Sequence, residues 1–584
     1  MTSTELLPSE PLWRRARLVV TLIGLGWLAM AGRLVQLQWL QRDQLSERAE
    51  QQRTFVEEIA PRPGDILDRQ GRLLATSIQT RSLFLTPRRI TQPDVVAGQI
   101  ATAVGVTPEF VRERIESHAN GHFVWIKRRL STEEVDAVRD LELPADQWGF
   151  REEYQREYPQ GMLAAQVLGL RDIDGIGRGG VEEAANKQLS GQTGKRLLTR
   201  DARGRVLDVL SDVDEPPLPG KSARLTLDIV VQLFAERELD QVIANWKPES
   251  CCAVVMNPRN GDILAMVSRP TFDPNRPDAA DPEAWKNRTI ADIYEPGSTF
   301  KPMVVAYGLD QGLLNRGDSY DCERGEYRMG RRVLHDHHPY GTLNLTDVLV
   351  KSSNIGMAKI GEKMQNENLH AAATVFGFGR KTGVELPGEL TGILRPLAKW
   401  NSYSTGSIPM GHEIAATPLQ LITAHAALAN RGELVAPRLI FRDDTDATQL
   451  QTLTHATVSA KTARWVVEHP MAEVVTRGTG KRARIAGYNV FGKTGTAQCL
   501  SPQGGYVTGK YVSSFLCGGP VENPQLMVLV VVNQASVGSE AFGGKVAAPA
   551  AANILRQSLV YLRVSPDVEL MRQAADWETD VELQ

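Results

Sequence analysis

The chain runs to 584 residues, room for two to four domains of roughly 150 residues and too much for a single small binding module. Its 66 Lys and Arg nearly balance 69 Asp and Glu, giving a net charge of −3 and no global positive field to hold a nucleic acid. A hydrophobic fraction of 42% with a mean hydropathy of −0.25 excludes disorder and a polytopic membrane protein, and five cysteines are too few for a disulfide scaffold.

Taken in chain order, the first element is an apolar run. Leu18 to Gly32 carries no charge, and after Arg33 the apolar character resumes through Leu40. A spanning helix needs about 20 residues, and an arginine near its end reaches the headgroups, so residues 18–40 are expected to cross a bilayer once. Arg14, Arg15 and Arg17 predict that residues 1–17 are a cytoplasmic tail, with Trp13 and Trp39 at the interfaces. The rest of the chain is then exported from the cytoplasmic (inner) membrane. A cleaved signal peptide competes, because Ala29-Met30-Ala31 fits a cleavage pattern, but the apolar character continues past that point. Gln41 to Arg53 is charged and helix-favouring, an extension of the span.

Residues 41–215 read as a mixed α/β domain, closed by the linker Asp212 to Gly220 with its Glu-Pro-Pro-Leu-Pro-Gly. In residues 221–564, Ala253–Met256 and Ile263–Val267 flank the turn Asn257–Asp262 and predict a hairpin. A helix-rich middle follows. Strand-like runs return at Tyr488–Phe491, Val512–Leu516 and Leu526–Val532, before an Ala-rich helix over Ala548–Leu562. Strands at both ends with helices between predict an α+β domain, an antiparallel sheet covered by helices. Residues 565–584, with Asp567, Glu569, Asp576, Glu578, Asp580 and Glu582, are expected to be a solvated acidic tail. Cys251, Cys252, Cys322, Cys499 and Cys517 lack metal spacing and are expected to be buried apolar side chains.

The strongest chemical signal is Glu295-Pro296-Gly297-Ser298-Thr299-Phe300-Lys301. Pro-Gly marks a turn into a helix, which puts Ser298 and Lys301 on one face at i, i+3. A serine hydroxyl is a poor nucleophile until a base takes its proton, and a lysine whose pKa is lowered by desolvation is such a base. Alone the pair is weak, but Ser352-Ser353-Asn354 lies 54 residues downstream and Lys493-Thr494-Gly495-Thr496 a further 141. S-x-x-K, S-x-N and K-T-G in this order are recognised as the signature of penicillin-binding proteins and β-lactamases.

Three decoys fall away. A second Lys-Thr-Gly, Lys381 to Gly383, sits in a loop composition, whereas Lys493 follows the strand-like Tyr488–Phe491. Gly487-x4-Gly492-Lys493-Thr494 formally matches a phosphate loop, yet Gly495 and Ser501–Gly505 oppose the helix that should follow. His335-Asp336-His337-His338 reads as a structural loop, since four adjacent polar residues converge poorly on one metal ion. On the Lys493 strand, bare Gly495 is expected to let a peptide lie close, while an ideal pleat sends Lys493 away from Thr494 and Thr496.

With these motifs the sequence resembles a class B penicillin-binding protein, a monofunctional peptidoglycan D,D-transpeptidase, over nearly its whole length. Gly64-Asp65-Ile66-Leu67-Asp68-Arg69-Gln70-Gly71-Arg72-Leu73-Leu74-Ala75 is similar to the family's opening motif, and Gly180-Val181-Glu182 with Leu189, Gly191 and Gly194 to its pedestal motif. One departure is Pro63, where the family usually has Arg. Met410-Gly411-His412-Glu413-Ile414 with Thr417–Gln420 is more like the division and sporulation branch than the elongation branch. The resemblance implies a β-lactamase/transpeptidase-like domain preceded by an elongated, non-catalytic pedestal and one transmembrane helix.

It further implies that Ser298 attacks the D-Ala-D-Ala carbonyl of a stem peptide, with Lys301 as base and Ser352 relaying a proton to the leaving amine. Asn354 would hold the acyl side of the substrate, Ser353 and Gly495 would also be substrate-binding, Lys493 would keep the potential positive, and Thr494 and Thr496 would bind the terminal carboxylate. Backbone N–H groups of Ser298 and Thr496 would form the oxyanion hole. An amine of a neighbouring stem peptide then takes the acyl group. No metal or cofactor is implied; the expected partners are peptidoglycan, β-lactams as inhibitors, a glycosyltransferase and division proteins of the membrane, and no nucleic acid. A D,D-carboxypeptidase, with water as acceptor, and a largely non-catalytic scaffold remain as alternatives. A β-lactamase would not need the anchor and pedestal, and a β-lactam sensor would need a transducing domain, for which the roughly 10 residues before the basic cluster are too few.

Overall fold

The computed structural model describes residues 10–200, 206–441, 454–500, 505–536 and 542–574. Helix α1 (Glu10–Val35) continues through a π-helical turn, Gln36–Leu40, and a further helix spans Arg42–Arg53. Trp13–Leu40 is long and apolar enough to cross a membrane, with its apolar window uncovered by protein.

By contacts the chain divides into two compact units that do not follow sequence order. One holds residues 1–62, 80–153 and 191–219, and the other holds 63–79, 154–190 and 220–584. The single boundary expected between 215 and 221 is therefore accompanied by further crossings, because two stretches of the expected pedestal pack with the later chain.

In the first unit, Thr54–Ile59, Gly194–Arg200 and Val206–Glu215 form a three-stranded antiparallel sheet. Helices Pro93–Val104, Pro108–Ser117 and Thr132–Arg139 bury Val96, Ile100, Val104, Val111, Ile115 and Val138 against Leu83, Leu85, Val124 and Ile126.

The second unit is built on a five-stranded antiparallel sheet. Its strands are β1 (Ser250–Met256), β2 (Ile263–Arg269), β3 (Phe491–Leu500), β4 (Tyr506–Gly519) and β5 (Leu526–Asn533), in the order β2-β1-β5-β4-β3. Every residue of β1 is buried, because both faces are covered. Alternation sends Cys251, Ala253 and Val255 to helices α2 (Ile229–Trp246) and, late in the chain, Ala548–Tyr561. Cys252, Val254 and Met256 face the core that contains α3 (Lys301–Asp310) and, further on, α4 (Asn354–Val375) and α5 (Pro418–Ala429). All five cysteines are buried and free.

Two sequence expectations shift. The late edge strand starts at Phe491, so Lys493–Thr496 lie inside β3, paired with Leu516–Ser513, instead of following a strand. The expected solvated tail begins with a helix, Val568–Ala574, while 575–584 lie outside the described residues.

The segments that join this unit early in sequence are held by buried charge. Glu182 accepts from Arg156 Nε at 2.6 Å and Arg171 Nε at 2.7 Å, all three side chains at most 2% exposed. Arg156 also donates to Gly64 O at 2.7 Å, tying the opening motif beside Pro63 to the same hub. Arg156 and Tyr158 are thus interior. Arg72 bridges Asp68 and Asp228, and Asp228 caps α2 through Val230 N–H. Glu182→Gln keeps the shape but leaves two buried guanidinium groups without their carboxylate, and is expected to cost about 3–5 kcal/mol. Urea unfolding followed by tryptophan fluorescence checks this; an unchanged midpoint would refute it.

Candidate active site

The site is assembled from four separated segments. Gly297–Phe300 forms a 3-10 turn that runs directly into α3, so Ser298 and Lys301 share its inner face. Gly297 has φ +55°, and a Cβ there would lie 3.0 Å from Thr496 O, a position that favours glycine. Ser298 is part-exposed and its hydroxyl has no hydrogen-bond partner among the described residues. Lys301 is fully buried. Its Nζ donates to Ser352 O at 2.7 Å, Asn354 Oδ1 at 2.9 Å, Ser352 Oγ at 3.3 Å and Ser353 O at 3.3 Å. Burial lowers its pKa to about 7, with the Asp336 carboxylate opposing.

Ser352 sits at φ +59°, a left-handed conformation that a non-glycine residue adopts at some cost. There its Oγ also accepts from Lys493 Nζ at 2.9 Å. The two amines therefore meet at one hydroxyl. Lys493 is fully buried as well, and burial, reinforced by Lys301, drives its pKa well below the usual lysine range. A permanent positive charge on Lys493, as the resemblance implied, runs against both effects.

The β3 pleat explains how Lys493 reaches the cleft. Lys493 and Gly495 lie on the face toward the Pro296–Thr299 turn, and the lysine stem carries Nζ to Ser352. Thr494 and Thr496 lie on the other face, where Thr494 Oγ1 and Thr479 Oγ1 are 2.8 Å apart and Thr496 Oγ1 accepts from Gly543 N–H at 3.3 Å. A Cβ at Gly495 would overlap Ser514 Oγ and come within 2.9 Å of Thr299 Cγ2. Its bareness thus serves the close packing of the serine-bearing turn, and the sequence reading that it leaves room for a peptide is corrected. Ser353 is corrected too. Its hydroxyl is buried, accepts from Gly356 N–H at 2.9 Å as the cap of α4, and donates to Asp336 at 2.6 Å, so it faces no substrate.

Asp336, read from the sequence only as part of a structural loop, braces the site. Set in the His-rich loop, it also accepts from the N–H groups of Asn354 and Ile355, at the positive end of α4, and so fixes the turn that carries Ser352 and Asn354. Asn354 Nδ2 donates to His335 O at 3.2 Å, which orients its Oδ1 to Lys301. The decoy Lys381–Gly383 is a loop whose Thr382 and Gly383 bind Glu389. Among the described residues no group of three metal-ligating side chains occurs.

Comparison with known proteins identifies the family. Residues 251–556 match the penicillin-binding protein transpeptidase domain, and residues 58–225 the penicillin-binding protein dimerisation domain. The chain is 33% identical to stage V sporulation protein D of Bacillus subtilis, over 97% of this chain and 88% of that one. It belongs to the class B penicillin-binding protein family. Within that family it is also 30% identical to the peptidoglycan D,D-transpeptidase FtsI of Escherichia coli, covering 95% of this chain and 93% of the relative. The crystal structure of penicillin-binding protein 3 from Mycobacterium tuberculosis, complexed with aztreonam, superposes with a TM-score of 0.66 at 25% identity, over 88% of this chain and 99% of that one. A peptidoglycan synthetase from Bifidobacterium adolescentis shares the fold, with a TM-score of 0.70 at 23% identity, over 88% of this chain and 98% of that one. As a penicillin-binding protein the chain carries the family's two domain types behind one apolar helix that can anchor it in a membrane.

Proposed function

We propose that this protein is a membrane-anchored peptidoglycan D,D-transpeptidase working through an acyl-enzyme on Ser298, and that it acts in septal wall synthesis. The observation that carries the reading is the hydrogen-bonded set Lys301–Ser352–Lys493, in which two buried amines flank one hydroxyl beside the Ser298 turn. Lys301, with its pKa near neutrality, takes the Ser298 proton as Oγ attacks the penultimate D-alanine carbonyl. Ser352, held between the two amines, returns a proton to the departing D-alanine nitrogen. Lys493, with its lowered pKa, acts as a proton partner of Ser352 and not as a fixed charge. Asn354 positions the acyl side of the donor, and Thr494 and Thr496 receive its terminal carboxylate, with Gly495 keeping the strand tight against the turn. The N–H groups of Ser298 and Thr496 stabilise the oxyanion, each such donor being worth about 3 kcal/mol. The apolar helix would set the catalytic unit outside the cytoplasmic membrane, near a glycosyltransferase and division proteins.

The test uses the full chain in detergent with a thioester analogue of the donor peptide and D-alanine as acceptor amine. Amide product growing with acceptor concentration is expected. Acid product alone would mean a carboxypeptidase, and neither turnover nor a penicillin adduct would mean a scaffold.

A further inference from the structure

The Met410–Ile414 stretch has so far served as a family marker, yet it supplies a second set of titratable groups beside the serine. Gly297 N–H donates to Gly411 O at 3.1 Å, so Ser298 and His412 each directly follow one partner of a single hydrogen bond. Three residues before Ser298, the Glu295 carboxylate is 6% exposed and accepts from three donors. His412 Nδ1 lies 2.8 Å from its Oε2, Glu413 N–H 2.9 Å from its Oε1, and Tyr506 OH 3.0 Å from its Oε2.

A carboxylate opposite Nδ1 fixes the imidazole proton there and leaves the Nε2 lone pair available. No described residue hydrogen-bonds Nε2, and the side chain is 27% exposed. Tyr506, whose phenol is kept protonated by burial and by Glu295, donates to the carboxylate and competes with no base; its ring lies 6.1 Å from that of His412. Glu413, next in the chain, turns its carboxylate to Arg395 and Ser404 instead. The site thus has two chemically distinct halves. One is the pair of amines Lys301 and Lys493 around Ser352, which offers an incoming cation no negative charge, and the other is the carboxylate–imidazole pair, which does.

We propose that Glu295 and His412 form the acceptor half of the site, where Glu295 draws in the ammonium of the second stem peptide and His412 Nε2 removes its proton. This rests on the transpeptidase reading above. The freed amine attacks the acyl carbon, a C–N bond forms and the bond to Ser298 Oγ breaks. The ammonium loses two protons in all, one to His412 before attack and one to Ser298 Oγ through the Lys301–Ser352 pair as the ester opens. The pair gives the enzyme a preference for an amine over water, since water brings no charge for Glu295 to attract.

The test measures the ratio of amide to acid product from the thioester donor with D-alanine, alongside the rate of penicillin acylation, for the full chain and for His412→Gln. At pH 7 the ratio is expected to fall about tenfold or more while penicillin acylation, which needs no acceptor, stays within about twofold. Raising the pH to about 9, where more of the acceptor is already uncharged, should restore much of the ratio. Glu295→Gln, which keeps a hydrogen-bond acceptor but removes the charge, should lower the ratio in the same way by raising the acceptor concentration needed. An unchanged ratio in His412→Gln would overturn the proposal. So would an equal fall in acylation, which would make the cluster a brace for the serine turn. Absence of acylation in the unaltered protein would instead defeat the underlying transpeptidase reading.

Discussion

Ser298→Ala is expected to carry no covalent penicillin adduct by intact mass, while the unaltered chain gains one adduct on the peptide containing residue 298. The loss in acylation should be at least about a thousandfold, because the variant has no atom with which to form the ester. The fold should be unaffected. The hydroxyl is part-exposed and makes no hydrogen bond among the described residues, so removing one oxygen should change stability by about 0.5 kcal/mol or less. Stoichiometric labelling that persists in the variant would move the nucleophile elsewhere, with Ser352 the first alternative, since it too lies beside a lysine amine.

Lys301→Met should slow penicillin acylation by about a hundredfold or more, the usual contribution of a positioned base. The pH profile gives the sharper test. A lysine acts as base only when neutral, and burial has brought Lys301 to about 7. Acylation by the unaltered protein should therefore rise with pH, by about tenfold per unit on the acid side, and level off above neutrality. The Met variant should lose that rise. A profile still climbing between pH 8 and 10 would mean that Lys301 keeps an ordinary lysine pKa and that burial has been offset by charge. Asp336→Asn gives the sign from the other side, since removing the carboxylate that opposes burial should move the inflection to lower pH.

What the sequence made legible follows from how local each signal is. Leu526–Asn533 announces itself as an apolar run because both of its faces are covered, and the Leu18–Gly32 part of α1 as a long uncharged one. Ser298, Lys301, Ser352, Asn354 and Lys493 could be singled out as candidates because each motif is contiguous and chemically distinctive, and the structure links the last four by hydrogen bonds. The polar Lys493–Thr496 stretch hid the start of β3, since its pairing partners Ser513–Leu516 lie beyond a hairpin. The meeting of Glu295, His412 and Tyr506 was not legible for a similar reason, although the first two each stand in a quoted motif. They come together across 117 and 211 residues of sequence, and no periodicity within any one segment records that meeting. The threading of residues 63–79 and 154–190 into the second unit rests on long-range pairs such as Arg72 with Asp228 and Ala164 N–H with Glu236, whose carboxylates read in sequence as ordinary charged residues.

The glycines around the serine turn also bear on how such a site can diversify. A Cβ on Gly411 would overlap Gly297 O, one on Gly495 would overlap Ser514 Oγ, and one on Gly297 would crowd Thr496 O at 3.0 Å. These three positions, drawn from distant parts of the chain, close on one another with no spare volume, so the floor of the pocket admits no larger side chain. Inherited change in which acyl donors or inhibitors are accepted is therefore expected at side chains other than these three positions. Phe542, 42% exposed with its ring 5.6 Å from that of His337, is one such position, whereas Tyr506 is tied to Glu295.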